Sequence, residues 1–301
     1  MTFRVPERVA MAAGLCAIVG CFATGCRETP GETETESGAT ETPQGGQPGT
    51  PQGGYQLGGE VEGDDVPADE SENCDPEKIT LRALVRDFNA GTEPGGHPDF
   101  ETFGGSTPTL GLVEPELSSK RKPVYTGLCS EPGATEDCPN AQQMTTKENF
   151  EMWYGVRGDA PSFEVFLTLE THTDTIVFES GEFFPLDDAG LGNEGRRHNF
   201  HFTTEVHTEF TYSGGEIFSF TGDDDVWIFI NDKLAVDIGG LHGESKGSVE
   251  LDAAAESLGL SVGNTYTFDL FHAERHTDKS RFRIDTNLAF TKCGLAPQGS
   301  P

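Results

Sequence analysis

Phe200 to Tyr212 reads "FHFTTEVHTEFTY", and its periodicity decides the architecture. Phe200, Phe202, Val206, Phe210 and Tyr212 fall at even spacing, with His201, Glu205, His207 and Glu209 between them. Successive side chains of a strand point to opposite faces, so the stretch is predicted as a strand with one core face and one wet face. "SGG" at Ser213 to Gly215 then reads as the turn of a hairpin into "EIFSFTG".

The same pattern spreads in both directions. Downstream, "VWIFI" is apolar on both faces and reads as a central strand, with Asn231-Asp232 as the tight turn into "KLAVDIGG". "NTYTFDLFHA" and "SRFRIDTNLAF" add two strands, the second opposing Phe282, Ile284 and Leu288 to Arg281, Arg283 and Asp285. Upstream, "ITLRALVRDF", "SFEVFLTLE" and "DTIVFESGEFFPLD" read likewise. Helical signals are short, at "DAAAESLGL" and "TKENFEMWYG". The expected fold class is all-β, an antiparallel β-sandwich of jelly-roll type, decorated by long loops such as Gly91 to Pro139.

Flanking this core are segments of another character. Residues 1–26 carry Arg4 and Arg8, an apolar run and small residues before a cysteine, the layout of an export signal. "ATGC" ending at Cys26 resembles the lipobox of bacterial lipoproteins; "IVGC" ending at Cys21 is the alternative, and the chain turns polar right after Cys26. Arg27 in place of Asp resembles an outer-membrane sorting signal, which gives an exported lipoprotein on the periplasmic or cell-surface face, touching the membrane through its lipid anchor only. Residues 27–73 are Thr, Pro, Gly and acid with little to bury and read as a disordered tether. The sandwich is assigned to residues 74–293 and a tail to 294–301. A net charge of -31, from 51 acidic and 20 basic residues, argues against nucleic acid as partner.

Four cysteines remain in the exported part: Cys74, Cys129, Cys138 and Cys293. In an oxidising compartment they suggest two disulfides with three possible connectivities. Cys74 and Cys293 bracket the domain, whereas Cys129 and Cys138 are close enough to staple one loop. No C-x-x-C spacing supports zinc.

The chemistry concentrates in "TGDDDVWIFINDKL", Thr221 to Leu234, which sets Asp223, Asp224 and Asp225 at the mouth of a buried strand. Mutual repulsion there has to be offset. Turn chemistry, with the side chains capping backbone amides, is one answer; a divalent cation is the other, because calcium takes about 6 to 8 oxygen ligands, mostly carboxylate and carbonyl. "HAERH" does not match a helical zinc-protease motif, so Glu274 and Arg275 are expected to form a structural ion pair near the rim. His198 and His201 are expected on opposite faces of a strand, half-exposed. Trp153, Tyr154 and Trp227 are either core or sugar-stacking residues. Nucleophile elbow, P-loop and dinucleotide fingerprints are absent.

Taken in order, "LVRDF", "HPDFE", "WYGV", "FFPLDDAGLGNEG", "HNFHFT", "FSFTGDDDVWIFINDKLAVDIGGLH" and "FHAERHTDKSRFRIDT" resemble the fibro-slime domain of secreted bacterial and social-amoeba proteins. That family is similar to the anthrax protective-antigen-type β-sandwich shared with yeast flocculins and some glycosidases. In the sugar-binding members two adjacent aspartates hold a calcium ion that coordinates sugar hydroxyls. The resemblance places Asp223 and Asp224 on that pair and Asp225 beside it. A second loop would be "HAERHTDKS", with Asp278 as oxygen donor, although it departs from the family pattern residue by residue. The implied function is non-catalytic adhesion or glycan binding through Ca2+. The alternatives are a matrix or slime component that contacts proteins and, third, a glycoside-active enzyme.

Overall fold

The computed structural model describes residues 54–61, 74, 78–155, 157–158 and 160–293. The export signal with Cys21 and Cys26, most of the tether and the tail lie outside them. β1 (Tyr55–Val61) and β2 (Thr80–Asp87) precede α1 (Lys147–Trp153). Then come β3 (Ser162–Thr168), β4 (Glu170–His172), β5 (Thr175–Ser180), β6 (Phe202–Thr211), β7 (Ile217–Gly222), β8 (Asp225–Ile230), β9 (Lys233–Ile238) and β10 (Ser245–Glu250). After α2 (Leu251–Leu258), β11 (Thr265–Glu274), β12 (Phe282–Thr286) and β13 (Ala289–Lys292) complete the described chain.

These strands make two antiparallel sheets, the sandwich that the alternation called for. The larger runs β1-β3-β2-β6-β11-β8-β9, the smaller β10-β7-β12-β5-β4. β6 is long enough to serve two partners on one edge: its first half pairs with β2, and its last residues with β13. Phe202, Val206 and Phe210 of β6 meet Phe218 and Phe220 of β7 and Phe282 and Ile284 of β12 in the core between the sheets.

The face of β6 expected to be wet is buried. Thr203, Glu205 and His207 are no more than 2% exposed, and His201 just before the strand is 0% exposed. The cause is the long connection from β2 to β3, which folds over the outer face of the larger sheet instead of hanging from its edge. Its Phe88, Phe100, Leu112, Val113, Tyr125, Phe150, Trp153 and Tyr154 pack on Trp227, Phe229 and Phe271 as a second apolar cluster. β8 is therefore apolar on both faces because it has a core on each side: Val226, Ile228 and Ile230 toward the smaller sheet, Trp227 and Phe229 toward the connection. Trp153, Tyr154 and Trp227 belong to the core and are not platforms for a sugar.

Polar residues under this cover are neutralised in pairs. Glu205 accepts from Lys122 Nζ at 2.6 and 2.7 Å and from Arg86 Nη1 at 3.0 Å, while Asp269 meets Arg121 Nη2 and His207 Nδ1, each at 2.5 Å. Burial alone would raise the Glu205 carboxyl, but Arg86 and Lys122 hold it well below the usual carboxylate range.

Two other expectations change. Ser213 to Gly215 is no hairpin: β6 lies in the larger sheet and β7 in the smaller, so these residues turn a corner between sheets. Gly214 and Gly215 both take positive φ, and the Glu216 carboxylate accepts from the Ser213 and Gly214 amides at 2.6 and 2.8 Å, which fixes the corner. Tyr55–Val61, read as part of the tether, is an edge strand on β3. The Asn231-Asp232 turn does join β8 to β9, both residues at the positive φ that such two-residue hairpins require. The disulfides are Cys74–Cys293 and Cys129–Cys138, with Cα–Cα distances of 5.1 and 5.6 Å.

His272 of β11 is 0% exposed, 5.2 to 6.3 Å from the rings of Phe183, Phe202, Phe220 and Phe282, and neither ring nitrogen has a hydrogen-bond partner. Burial, with His242 adding to it, pushes its pKa down to about 3. The unfolded chain binds a proton here below about pH 6.5 and the folded chain does not, so stability is lost as pH falls from that value toward 3. His272→Leu is expected to stabilise the fold by about 1 kcal/mol at pH 7. The gain should grow by roughly 2 kcal/mol at pH 5. Urea unfolding at both pH values checks this; an unchanged difference between variant and wild type contradicts it.

Candidate functional site at the sandwich rim

The rim site is assembled by topology. Asp223 and Asp224 link β7 in the smaller sheet to β8 in the larger; Gly239 to Glu244 links β9 to β10; Arg275 to Arg281 links β11 to β12. Each connection crosses between sheets, and the registers Ala273↔Asp225, Phe282↔Gly222 and Ser245↔Gly222 bring all of them level at one end. Gly222 must be glycine, since a Cβ there would lie 2.4 Å from the Arg281 carbonyl oxygen.

The aspartates lace these connections together. Asp223 Oδ2 accepts from the Arg281 amide at 3.0 Å. Asp224, in the left-handed region at φ 57°, accepts from the Arg275 amide at 2.9 Å and the His242 amide at 3.4 Å. Its own amide donates to the His242 carbonyl at 3.2 Å. Asp225 points away from the rim: its oxygens accept from the Gly240 amide at 2.5 Å and from Arg275 Nε at 2.6 Å, in an ion pair with both side chains 0% exposed.

Arg275 therefore does not pair with Glu274 as expected. Neighbouring residues at a strand end face opposite ways. Arg275 turns outward to Asp225, lies 4.8 Å over the Trp153 ring, and donates to the carbonyls of Asp99 and Gln143 at 3.1 and 2.8 Å. Glu274 turns inward and is 1% exposed; its carboxylate oxygens lack a well-aligned donor, with only the Ser280 hydroxyl and the His276 amide close enough to draw its pKa back in part.

An open cleft of about 270 Å³ lies over this frame, lined by Asp223, Asp224, Glu274, Asp278, His242 and Lys279, with Gly104 and Gly105 of the β2–β3 connection on one side. Gly105 meets the opposite loop so closely that a Cβ would fall 1.8 Å from the Leu241 carbonyl oxygen. Burial raises the Asp223 carboxyl; it also pushes Asp224 up to about 6, with Arg275 drawing it back and Asp225 adding to the rise. Burial, then Asp224, raises Glu274 well above the usual range. The cleft thus holds more carboxylate than its surroundings compensate, and cation binding would relieve that.

Of the expected metal set, the structure brings Asp223, Asp224 and Asp278 to one cleft and commits Asp225 elsewhere. Among the described residues no three His, Cys, Asp or Glu side chains already sit close enough to hold a metal ion. Hard oxygen donors in an open cleft suit calcium, which completes its shell with water and carbonyl oxygens; Asp225, 0% exposed, outside the cleft lining and ion-paired with Arg275, does not fit as a ligand. Sequence reasoning missed Glu274, whose position alternates correctly for an inward residue although its type suggested a surface pair. Of the two histidines, His198 is half-buried as expected and His201 is not. His201 is fully buried between Glu101, at 3.0 Å, and Glu194, while His198 stacks on Phe184 at 4.0 Å and pairs with Asp187 at 2.6 Å.

The stretch that carries all three rim connections is also the stretch recognised by comparison. Residues 190–297 match the PA14 domain. Over a longer span than the PA14 match, the chain is homologous to proteins of Dictyostelium discoideum. It is 39% identical to Protein psiD over 228 residues, 72% of this chain and 42% of that protein. To Protein psiR it is 36% identical over 235 residues, 71% of this chain and 22% of that protein. The chain spans less than half the length of these relatives. Among solved structures, the PA14 sugar-binding domain from an RTX adhesin aligns over 55% of this chain and 95% of its own, at 11% identity and a TM-score of 0.29.

Proposed function

We propose that the chain is a non-catalytic adhesion module whose PA14 region takes carbohydrate hydroxyls at the rim cleft through a calcium ion held by Asp223 and Asp224, with Asp278 at its edge. The observation that carries this is the convergence of three sheet-crossing connections on one cleft with an excess of buried carboxylate. The calcium ion would supply the Lewis-acidic centre for paired hydroxyls; the chain's part is to fix the two aspartates through the Arg275, Arg281 and His242 amides. The finer fibro-slime assignment, and display on an outer membrane through a lipid on Cys26, or on Cys21, belong to this same proposal.

The test is a glycan array probed with the full chain, with and without chelator. Binding to a restricted set of glycans that disappears on chelation supports the reading; chelator-insensitive binding, or none, removes it. The second reading is a matrix component that binds extracellular proteins. It is favoured by two observations: the third aspartate of the triplet serves an internal arginine, and among the described residues no metal cluster is preformed. Capture of purified matrix proteins with a silent array would support it.

A further inference from the structure

We propose that the edge of β3 is a strand-docking site that the β1 of a second copy of this chain can fill, so that two copies exchange their N-terminal strands. The inference does not rest on the rim cleft, whose lining includes no residue of β1 or β3.

β1 is the one described strand outside the Cys74–Cys293 closure, so it can leave without opening the ring that holds β2 to β13. It is also lightly held. Tyr55, Leu57 and Val61 are half-buried, the other residues of the strand are exposed, and the pairing with β3 is irregular between Leu57 and Glu60. Elements with so few buried contacts open at the low end of local unfolding free energies.

The seat it leaves is nevertheless specific. Tyr55 meets the Phe183 ring edge-on at 5.1 Å, its hydroxyl accepts from the Phe184 amide at 3.4 Å, and the Thr168 amide donates to the Gly54 carbonyl at 2.8 Å. Gly58 lies so close to β3 that a Cβ there would fall 3.0 Å from Glu164 Cβ and 3.1 Å from Phe166 Cε2. All of these partners belong to the closed ring. Seat and occupant are therefore separate pieces, and a β1 from another copy would meet the same contacts. Vacated, the edge of β3 presents unpaired amides and carbonyls beside the core residues Phe163, Val165 and Leu167, an edge of the kind that captures a strand.

The connecting chain points to a second copy as the source. β1 and β2 are both antiparallel to β3, so the chain leaves β1 at Val61, opposite Ser162, and returns toward Cys74, whose partner Cys293 accepts from the Arg82 amide at 3.0 Å. Sheet spacings put that return at roughly 20 Å. Residues 62–73 can span up to about 40 Å, twice the need. The surplus lets β1 reach the same edge on an adjacent copy while Cys74 stays bonded, and reciprocal exchange closes a two-fold dimer with every contact kept. In dilute solution the chain's own strand wins, because a short tether gives it an effective concentration of about 1 mM. A net charge of -31 opposes association further at low salt.

The experiment is sedimentation velocity of the full chain in about 0.5 M sodium chloride, where charge repulsion is screened within a few ångström. Roughly half of the chains should be dimeric at about 1 mM protein and about 2% at about 10 µM. Gly58→Val, which unseats β1 and leaves the ring intact, should stay monomeric at both concentrations. An excess of a peptide of residues 53–61, which fills the edge without bridging two rings, should return wild-type dimers to monomers, and the same peptide carrying Gly58→Val should not. Wild type that stays monomeric at the higher concentration overturns the proposal. Dimers that survive Gly58→Val or the competing peptide form at another surface and overturn it as well. Should Gly58→Val fail to fold, deletion of residues 54–61 takes its place with the same expectation.

Discussion

Replacing Arg275 by methionine is expected to destabilise the domain by about 3–5 kcal/mol, the range for removing one member of a buried ion pair. The reason is what remains behind: Asp225, 0% exposed, keeps only the Gly240 amide, and Asp224 loses the charge that draws its pKa down. The carbonyls of Asp99 and Gln143 also lose their donor, which loosens the covering connection where it meets the rim. Exposed pairs behave differently. Arg281 pairs with Glu244 at 2.8 Å and with Glu179 at 3.0 Å, but all three side chains are 31% to 53% exposed and such pairs are worth about 0–1 kcal/mol each, so Arg281→Met should cost far less than Arg275→Met in the same denaturation series. A second substitution, Asp225→Leu on top of Arg275→Met, should recover part of the loss. If Arg275→Met costs under 1 kcal/mol, the pair is not the internal anchor of the rim.

The second large effect concerns the covalent closure. Exchanging Cys74 and Cys293 together for serine is expected to lower stability by up to about 5 kcal/mol, since a bond spanning 219 residues removes much loop-closure freedom from the unfolded chain. Cys129 and Cys138 are separated by 9 residues, and the same argument gives them a smaller effect, about 2–3 kcal/mol. Guanidinium unfolding of the two double variants should rank them in that order. The reverse ranking would mean that the staple in the β2–β3 connection organises the second apolar cluster more than chain entropy suggests; Cys129 and Cys138 are themselves members of that cluster.

Strand positions were legible because alternation in β6, β11 and β12 is dictated by one invariant contact, the core between the sheets. What covers the other face was not. Glu205 and His207 carry the polar signature of a solvated face, and a residue neutralised by Arg86, Lys122 and Asp269 looks the same in sequence as one neutralised by water. "SGG" signals a turn but not whether the next strand returns to the same sheet. At the rim, the aspartate triplet could be located, yet which of the three faces the cleft depends on Arg275, 50 residues later. Glu274 was hidden by its neighbour: a Glu-Arg pair reads as an ion pair until the strand end sends the two side chains to opposite sides.

The Cys74–Cys293 bond closes a loop that contains every strand from β2 to β13. Tension pulled through the chain from both ends would peel β1 from its edge, enter at one sulfur and leave by the other. The segment between would stay slack, and a cleft formed inside it would keep its shape under loads that stretch everything outside.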